Sequence, residues 1–253
     1  MYGRRLIGAR LATAPPRCQK PPREQSKPRP DRREEFGVSV IAVDGPAASG
    51  KGTIARALAR HFGLPHLDTG LLYRAVALNL LRWGGDPESE FAALRACDFA
   101  QTDFSDTELK SEMVGGVASR ISAYPGVRAA LLERQRDFAA QPGGAVLDGR
   151  DIGTVIAPDA PAKLFVTATP EVRARRRYQE LLNLGRTSHY EDVLIDIRAR
   201  DERDSSRAAA PLRMADGAYR LDTSDLPVEA AVAEAIAAVE RSLHIMHPKP
   251  ANE

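Results

Sequence analysis

The chain has 253 residues, 43% of them hydrophobic and 28% charged, with a formal net charge of +2, a size and balance that fit one soluble α/β domain, with room for small inserted lobes. No apolar run reaches the ~20 residues needed to cross a bilayer. The two cysteines, Cys18 and Cys97, join no Cys/His cluster, which speaks against a disulfide framework or zinc site and for a reducing cytoplasm.

Residues 1–36 carry ten Lys/Arg against four acids and six of the 18 prolines. This segment shows no hydrophobic periodicity and is expected to be a disordered basic extension, because it cannot bury enough apolar surface to offset its ordering entropy. Its net +6 leaves −4 for residues 37–253, so the globular part is not expected to be a nucleic-acid-binding surface. Order is expected from Val38. Val38–Val43 is a β-branched run ending at Asp44-Gly45-Pro46, as a buried strand does. Ile54, Ala57, Leu58 and Phe62 then recur at helical spacing up to Gly63. Leu64–Leu67 reads as a short second strand, followed by a helix through Tyr73, Val76 and Leu80. Gly84–Lys110 is polar, acidic and hard to assign. Ala145–Leu147, Lys163–Val166 and Ala218–Leu221 complete five short strands. Helical patterns over about 111–140 and 171–204 lie between them, and 227–246 closes the chain as a helix. Strands alternating with helices imply a parallel, doubly wound sheet.

The strongest chemical signal is Gly45-Pro46-Ala47-Ala48-Ser49-Gly50-Lys51-Gly52-Thr53. It matches the P-loop pattern G-x-x-x-x-G-K and sits between a hydrophobic strand and a helix, where that pattern must sit. Glycines let backbone N–H groups curl around a nucleotide β-phosphate, and Lys51 bridges the β- and γ-phosphates of ATP. Gly52 follows Lys51 and the hydroxyl comes one place later, at Thr53. No direct side-chain ligand to a metal is therefore expected; Mg²⁺ enters with ATP, near Thr53. Asp68–Arg74 offers a hydroxyl, a phenol and a guanidinium within two turns, and Asp148-Gly149-Arg150-Asp151 follows the third strand. Nine arginines then fall within residues 173–207: Arg173, Arg175, Arg176, Arg177, Arg186, Arg198, Arg200, Arg203 and Arg207. Two helices interrupted at Gly185 and carrying so many guanidiniums have the form of a mobile lid over transferring phosphates.

Together these clusters resemble the bacterial cytidylate kinases. The likeness runs from Val38 to about Arg241, and its specific carriers are AYPGVRAALLERQR (123–136), LDGRDIGTVIAPDAPAKLFVTA (147–168) and RDERDSSRAAAPL (200–212). The resemblance implies a P-loop NTPase fold with a five-stranded core, a small monophosphate-binding insertion over about 84–140 and a lid over about 173–207. It implies transfer of the γ-phosphoryl of ATP to CMP or dCMP. Thr69, Arg128 and Asp151 match positions that read the base. Arg74 and Arg150 match the acceptor-phosphate positions, with Tyr73 beside them. Ser119, Asp148, Arg200 and Asp204 match the ribose group, and Arg207 a phosphate contact. Lys51, Arg150, Arg176 and Arg207 are thus the expected catalytic cations. An arginine beside a carboxylate complements the polar edge of cytosine, which presents a donor at N4 and acceptors at N3 and O2. Longer family members carry a β-rich excursion where Cys97–Val117 is short and charged, so a trimmed insertion is expected. A monomer acting on small nucleotides, without nucleic-acid or membrane partners, is the expected state. The rivals are a related kinase for another monophosphate or small alcohol, and a nucleotide-binding protein that engages nucleic acid through its basic tail.

Overall fold

A computed structural model describes residues 40–98, 104 and 106–246 of the chain. The extension expected over 1–36 lies outside the described residues. Everything described belongs to one structural unit, Asp31–Glu253.

Five strands build the sheet: β1 (Val40–Asp44), β2 (His66–Asp68), β3 (Ala145–Gly149), β4 (Ala162–Thr167) and β5 (Tyr219–Asp222). All pairings are parallel, in the order β2-β3-β1-β4-β5. β1 and β3 are buried along their whole length, which is why Val-Ile-Ala-Val and Ala-Val-Leu read as continuous apolar runs instead of alternating ones. The chain leaves β1 and returns to the sheet on either side of it, so ligands of such a sheet gather beyond the carboxyl ends of β1 and β3.

Among the described residues eight α-helices accompany the sheet. The first, α1 (Lys51–Phe62), starts directly after Gly50 and stops at Gly63, both glycines in the left-handed region at φ 91° and 67°. Its buried face, Ile54, Leu58 and Phe62, packs with α8 (Val228–Met246) on Ile41, Val43 and Leu164; each such side chain contributes roughly 1.5–3 kcal/mol of apolar burial. The opposite face of the sheet carries Ala42 and Leu147 against Ala139 and Ile156.

A second core sits apart from the sheet. It joins α2 (Thr69–Arg82), α3 (Glu90–Arg95), α4 (Glu112–Ile121) and α5 (Pro125–Ala139) through Leu72, Val76, Leu80, Val114, Ile121 and Leu131. The helical stretch expected over 111–140 is two helices. They separate at Ser122–Tyr124 because Pro125 disfavours helical geometry in the residue before it. The described residues of the stretch that resisted reading, 84–110, contain α3 and one 3₁₀ turn, Thr107–Lys110. A third cluster joins α6 (Pro170–Asn183) and α7 (Tyr190–Ser206) to the loop after β1 through Ala174, Leu181, Val193 and Ile197 around Ala47. The turn between α6 and α7 passes through Gly185 at φ 71°.

Candidate active site

The segment Gly45–Gly50 leaves the carboxyl end of β1 and wraps onto the N-terminus of α1. Gly45 lies at φ 154°, and a Cβ there would meet the Val166 carbonyl oxygen at 2.0 Å, so no other residue fits. Ala48 takes the left-handed region at φ 57° without being glycine, a strained state costing roughly 1–2 kcal/mol. The helix bonds of α1 begin with the Thr53 and Ile54 N–H groups, which donate to Gly50 O at 3.0 and 3.1 Å; the N–H groups ahead of them, at the positive end of the helix, suit an anion. A residue that sequence reasoning missed fastens this loop: Thr223, just after β5, donates from its hydroxyl to Ser49 O at 3.0 Å. Arg176 joins it, donating to the Thr223 hydroxyl at 2.9 Å and its carbonyl at 2.6 Å. Beside them lies a cleft of about 320 Å³ lined by Ser49, Gly50, Thr53, Arg176, Thr223 and Leu226.

Lys51 opens α1 with its Nζ 3.7 Å from Asp148 Oδ2. Asp148 is fully buried, and its other oxygen meets His66 Nε2 at 3.1 Å. Burial would raise the Asp148 pKa, but Lys51 and His66 outweigh it and hold the carboxyl below its ordinary value. Burial, with Arg150 nearby, lowers the Lys51 pKa. The structure therefore places Asp148 with the phosphate-loop lysine and not with Ser119, Arg200 and Asp204. No sequence signal singled out His66 for this contact.

The second pocket opens between α2, α4, β3 and α7, where Thr69, Tyr73, Arg74, Ser119, Arg128, Arg150, Asp151, Arg200, Asp204 and Arg207 converge. Its space is only about 50 Å³, and several of its charged groups are paired with each other. Arg128 donates to Asp151, Arg150 to Asp204 at 2.8 Å, and Arg207 stands 3.8 Å from Asp151. The Thr69 hydroxyl donates to Asp148 O at 2.9 Å, a contact that a Cβ at Gly149 would block at 2.5 Å. Arg74 donates to Leu109 O at 2.6 Å and Ser111 O at 3.2 Å, which anchors it to the start of α4. Burial lowers the pKa values of Arg74, Arg200 and Arg207, Arg200 to about 9. Arg200 Nε and Arg207 Nη2 are buried without a hydrogen-bond partner. Such donors, left uncompensated, seek an anion.

Between the two pockets lies a cleft of about 420 Å³, walled by Ala47 and Ala48, by Gly115 and Ser119 of α4, and by Arg177, Arg200 and Arg203. Arg177 spans it, pairing with Glu112 of α4 and with Glu180 at 2.7 Å. Arg173 differs from the other arginines of its run. It is 3% exposed and donates to Asp201 at 2.9 and 2.6 Å, to Ala168 O at 2.9 Å and to Ala47 O at 3.2 Å. It belongs to the framework and offers no donor to the cleft.

A P-loop at the head of a parallel sheet, facing a second pocket of buried arginines, defines the P-loop kinase class. A family profile described as cytidylate kinase matches residues 41–241. The cytidylate kinase of Xanthobacter autotrophicus is 61% identical over 203 residues, covering 79% of this chain and 97% of its own. That of Methylocella silvestris is 58% identical over 213 residues, covering 83% and 99%. That of a Methylobacterium species is 62% identical over 180 residues, covering 71% and 86%. The chain belongs to the cytidylate kinase family.

Proposed function

We infer that the protein transfers the γ-phosphoryl of ATP to CMP, and to dCMP, giving ADP and the corresponding diphosphate. The observation that carries this reading is the Arg128–Asp151 pair in a pocket also lined by Arg150, Arg200 and Arg207, the last 3.8 Å from Asp151. A pocket that combines an arginine–carboxylate pair with further clustered guanidiniums suits a molecule with a polar base edge and a phosphate dianion.

In this reading ATP lies along the cleft beside Gly50 and Thr223, with its phosphates in the Gly45–Thr53 loop. Lys51 follows the charge that moves during transfer. Arg74 and Arg150 hold the acceptor phosphate, Arg176 and Arg207 neutralise charge as it spreads over the transferring group, and Ser119, Arg200 and Asp204 take the ribose. Residues 84–140 form the acceptor insertion and 173–207 the lid. No covalent intermediate is needed, because alignment of two anions and cancellation of their charge supply the barrier reduction. Mg²⁺ bound with ATP would supply further neutralisation. Thr53 and the Asp148 oxygen that lacks a hydrogen-bond partner are the groups suited to hold it or its waters. Among the described residues no helix is long and apolar enough to cross a membrane, and we take the enzyme to be a cytoplasmic monomer acting on small nucleotides.

A coupled assay of ADP release across CMP, dCMP, UMP and AMP tests the assignment. Turnover confined to cytidine nucleotides supports it, and preferential turnover of UMP or AMP overturns it.

A further inference from the structure

Asp44 ends β1, one residue before the phosphate loop, and is 3% exposed. Its two oxygens accept from consecutive backbone N–H groups, Oδ1 from Ile152 and Oδ2 from Gly153, both at 2.8 Å. These N–H groups open the π-type turn Ile152–Ile156, and the residue immediately before it is Asp151. The approach is close: a Cβ at Gly153 would lie 3.4 Å from Asp44 Oδ2 and 3.1 Å from Ala215 Cβ. Burial pushes the Asp44 carboxyl up to about 6, more than the two N–H bonds lower it, with Asp151 opposing its charge and Arg150 favouring it. The Lys163 side chain also lies beside Gly153. Burying a carboxylate costs free energy that its hydrogen bonds must offset, and here those two bonds fix a local geometry. Here that geometry is the direction of Asp151, whose own carboxylate meets Arg128 and faces Arg207.

We propose that Asp44 is a positioning residue for base recognition: it clamps the turn behind Asp151, so the strand that feeds the phosphate loop also aims the carboxylate that reads the base. The proposal rests on the reading of Asp151 given above. Charge-assisted hydrogen bonds weaken steeply with misalignment, so a loosened turn blunts discrimination while leaving the donor side intact.

Asp44→Asn tests this. The amide keeps one acceptor and turns an N–H₂ toward the other backbone N–H, so one of the two bonds is lost. Steady-state constants for CMP, UMP and ATP are measured for wild type, Asp44→Asn, Asp151→Asn and the double variant. We expect Asp44→Asn to lower kcat/KM for CMP about tenfold, mainly through KM, with UMP and ATP constants within about twofold. The double variant should be no worse than Asp151→Asn alone, because both act on one contact. Equal losses on CMP and UMP, a raised KM for ATP, or additive effects in the double variant overturn the clamp alone. If Asp151→Asn leaves the CMP/UMP ratio unchanged, both the base reading and the clamp fall. Should Asp44→Asn not fold, the wild-type CMP/UMP ratio between pH 5 and 8 decides, since the ionisation of the acceptor phosphate is common to both substrates. A ratio that falls as pH drops through about 6 supports the clamp, and a flat ratio overturns it.

Discussion

Lys51 follows the phosphate loop and stands largely buried, 3.7 Å from Asp148; on the reading proposed above, an arriving phosphate chain would give it further negative partners. Lys51→Met should keep the fold and lower kcat by ~10³-fold or more, since the charge that tracks the transferring group is gone; circular dichroism beside the coupled assay checks both halves. Asp151→Asn should keep an acceptor but lose the charge, weakening transition-state binding of CMP by about 1–3 kcal/mol. UMP, which presents an acceptor where cytosine has N4–H₂, should lose nothing, so the CMP/UMP ratio of kcat/KM falls roughly ten- to a hundredfold. If both substrates decline equally, Asp151 orients its loop and does not read the base. Residues of this kind were legible because they stand in contiguous, patterned runs. Asp44, His66 and Thr223 were not, since each is a single polar residue at a strand end. Their meaning comes from sheet register, which sets Asp44 opposite Gly149 and His66 opposite Val146, two places from Asp148. No local pattern encodes which strand ends will meet.

At the scale of elements, the two halves of the arginine run do different work. Arg173 ties α6 to Asp201 of α7 and to the carbonyl of Ala47; Arg173 itself is buried, while the Asp201 side chain is 29% exposed. Arg173→Ala should therefore cost about 1–3 kcal/mol, the loss typical when hydrogen bonds to a charged group are removed and its partner stays partly solvated; a fall in Tm measures it. Arg177 pairs with Glu112 and Glu180, each about half exposed, and such pairs are worth about 0–1 kcal/mol. Arg177→Ala should accordingly leave Tm almost unchanged, and any loss in kcat reports on its place across the cleft. Strand and helix existence was largely readable from pattern, because β1, β3 and β4 carry short apolar runs flanked by turn residues, whereas β2 (His-Leu-Asp) and β5 (Tyr-Arg-Leu-Asp) follow from their place between helices. The short helix Glu90–Arg95 and the turn at Thr107–Lys110 were not, because tertiary packing of Ala93 and Leu109 against α2 and α5 stabilises segments whose own patterns are weak; the boundary within 111–140 does carry a local signal, Pro125, which apolar periodicity alone passes over.

For the whole molecule, charge separates into a basic extension and an acidic remainder, +6 against −4. Deleting residues 1–36 should leave Tm and kinase constants almost unchanged, and a drop of several degrees would show that the extension packs on the core. The second pocket has a consequence for work in a crowded cell. Two of its guanidiniums are neutralised from within, Arg150 by Asp204 and Arg128 by Asp151, while Arg200 Nε and Arg207 Nη2 have no hydrogen-bond partner. A simple anion such as chloride or orthophosphate should therefore settle only beside Arg200 and Arg207, since gaining Arg150 or Arg128 would leave a carboxylate buried and unpaired. On the reading proposed above, a nucleotide offers its phosphate to the arginines and its base amine to Asp151, so it compensates the carboxylate as well. The ion pairs would thus weigh against the salt background, in favour of a ligand that carries both signals.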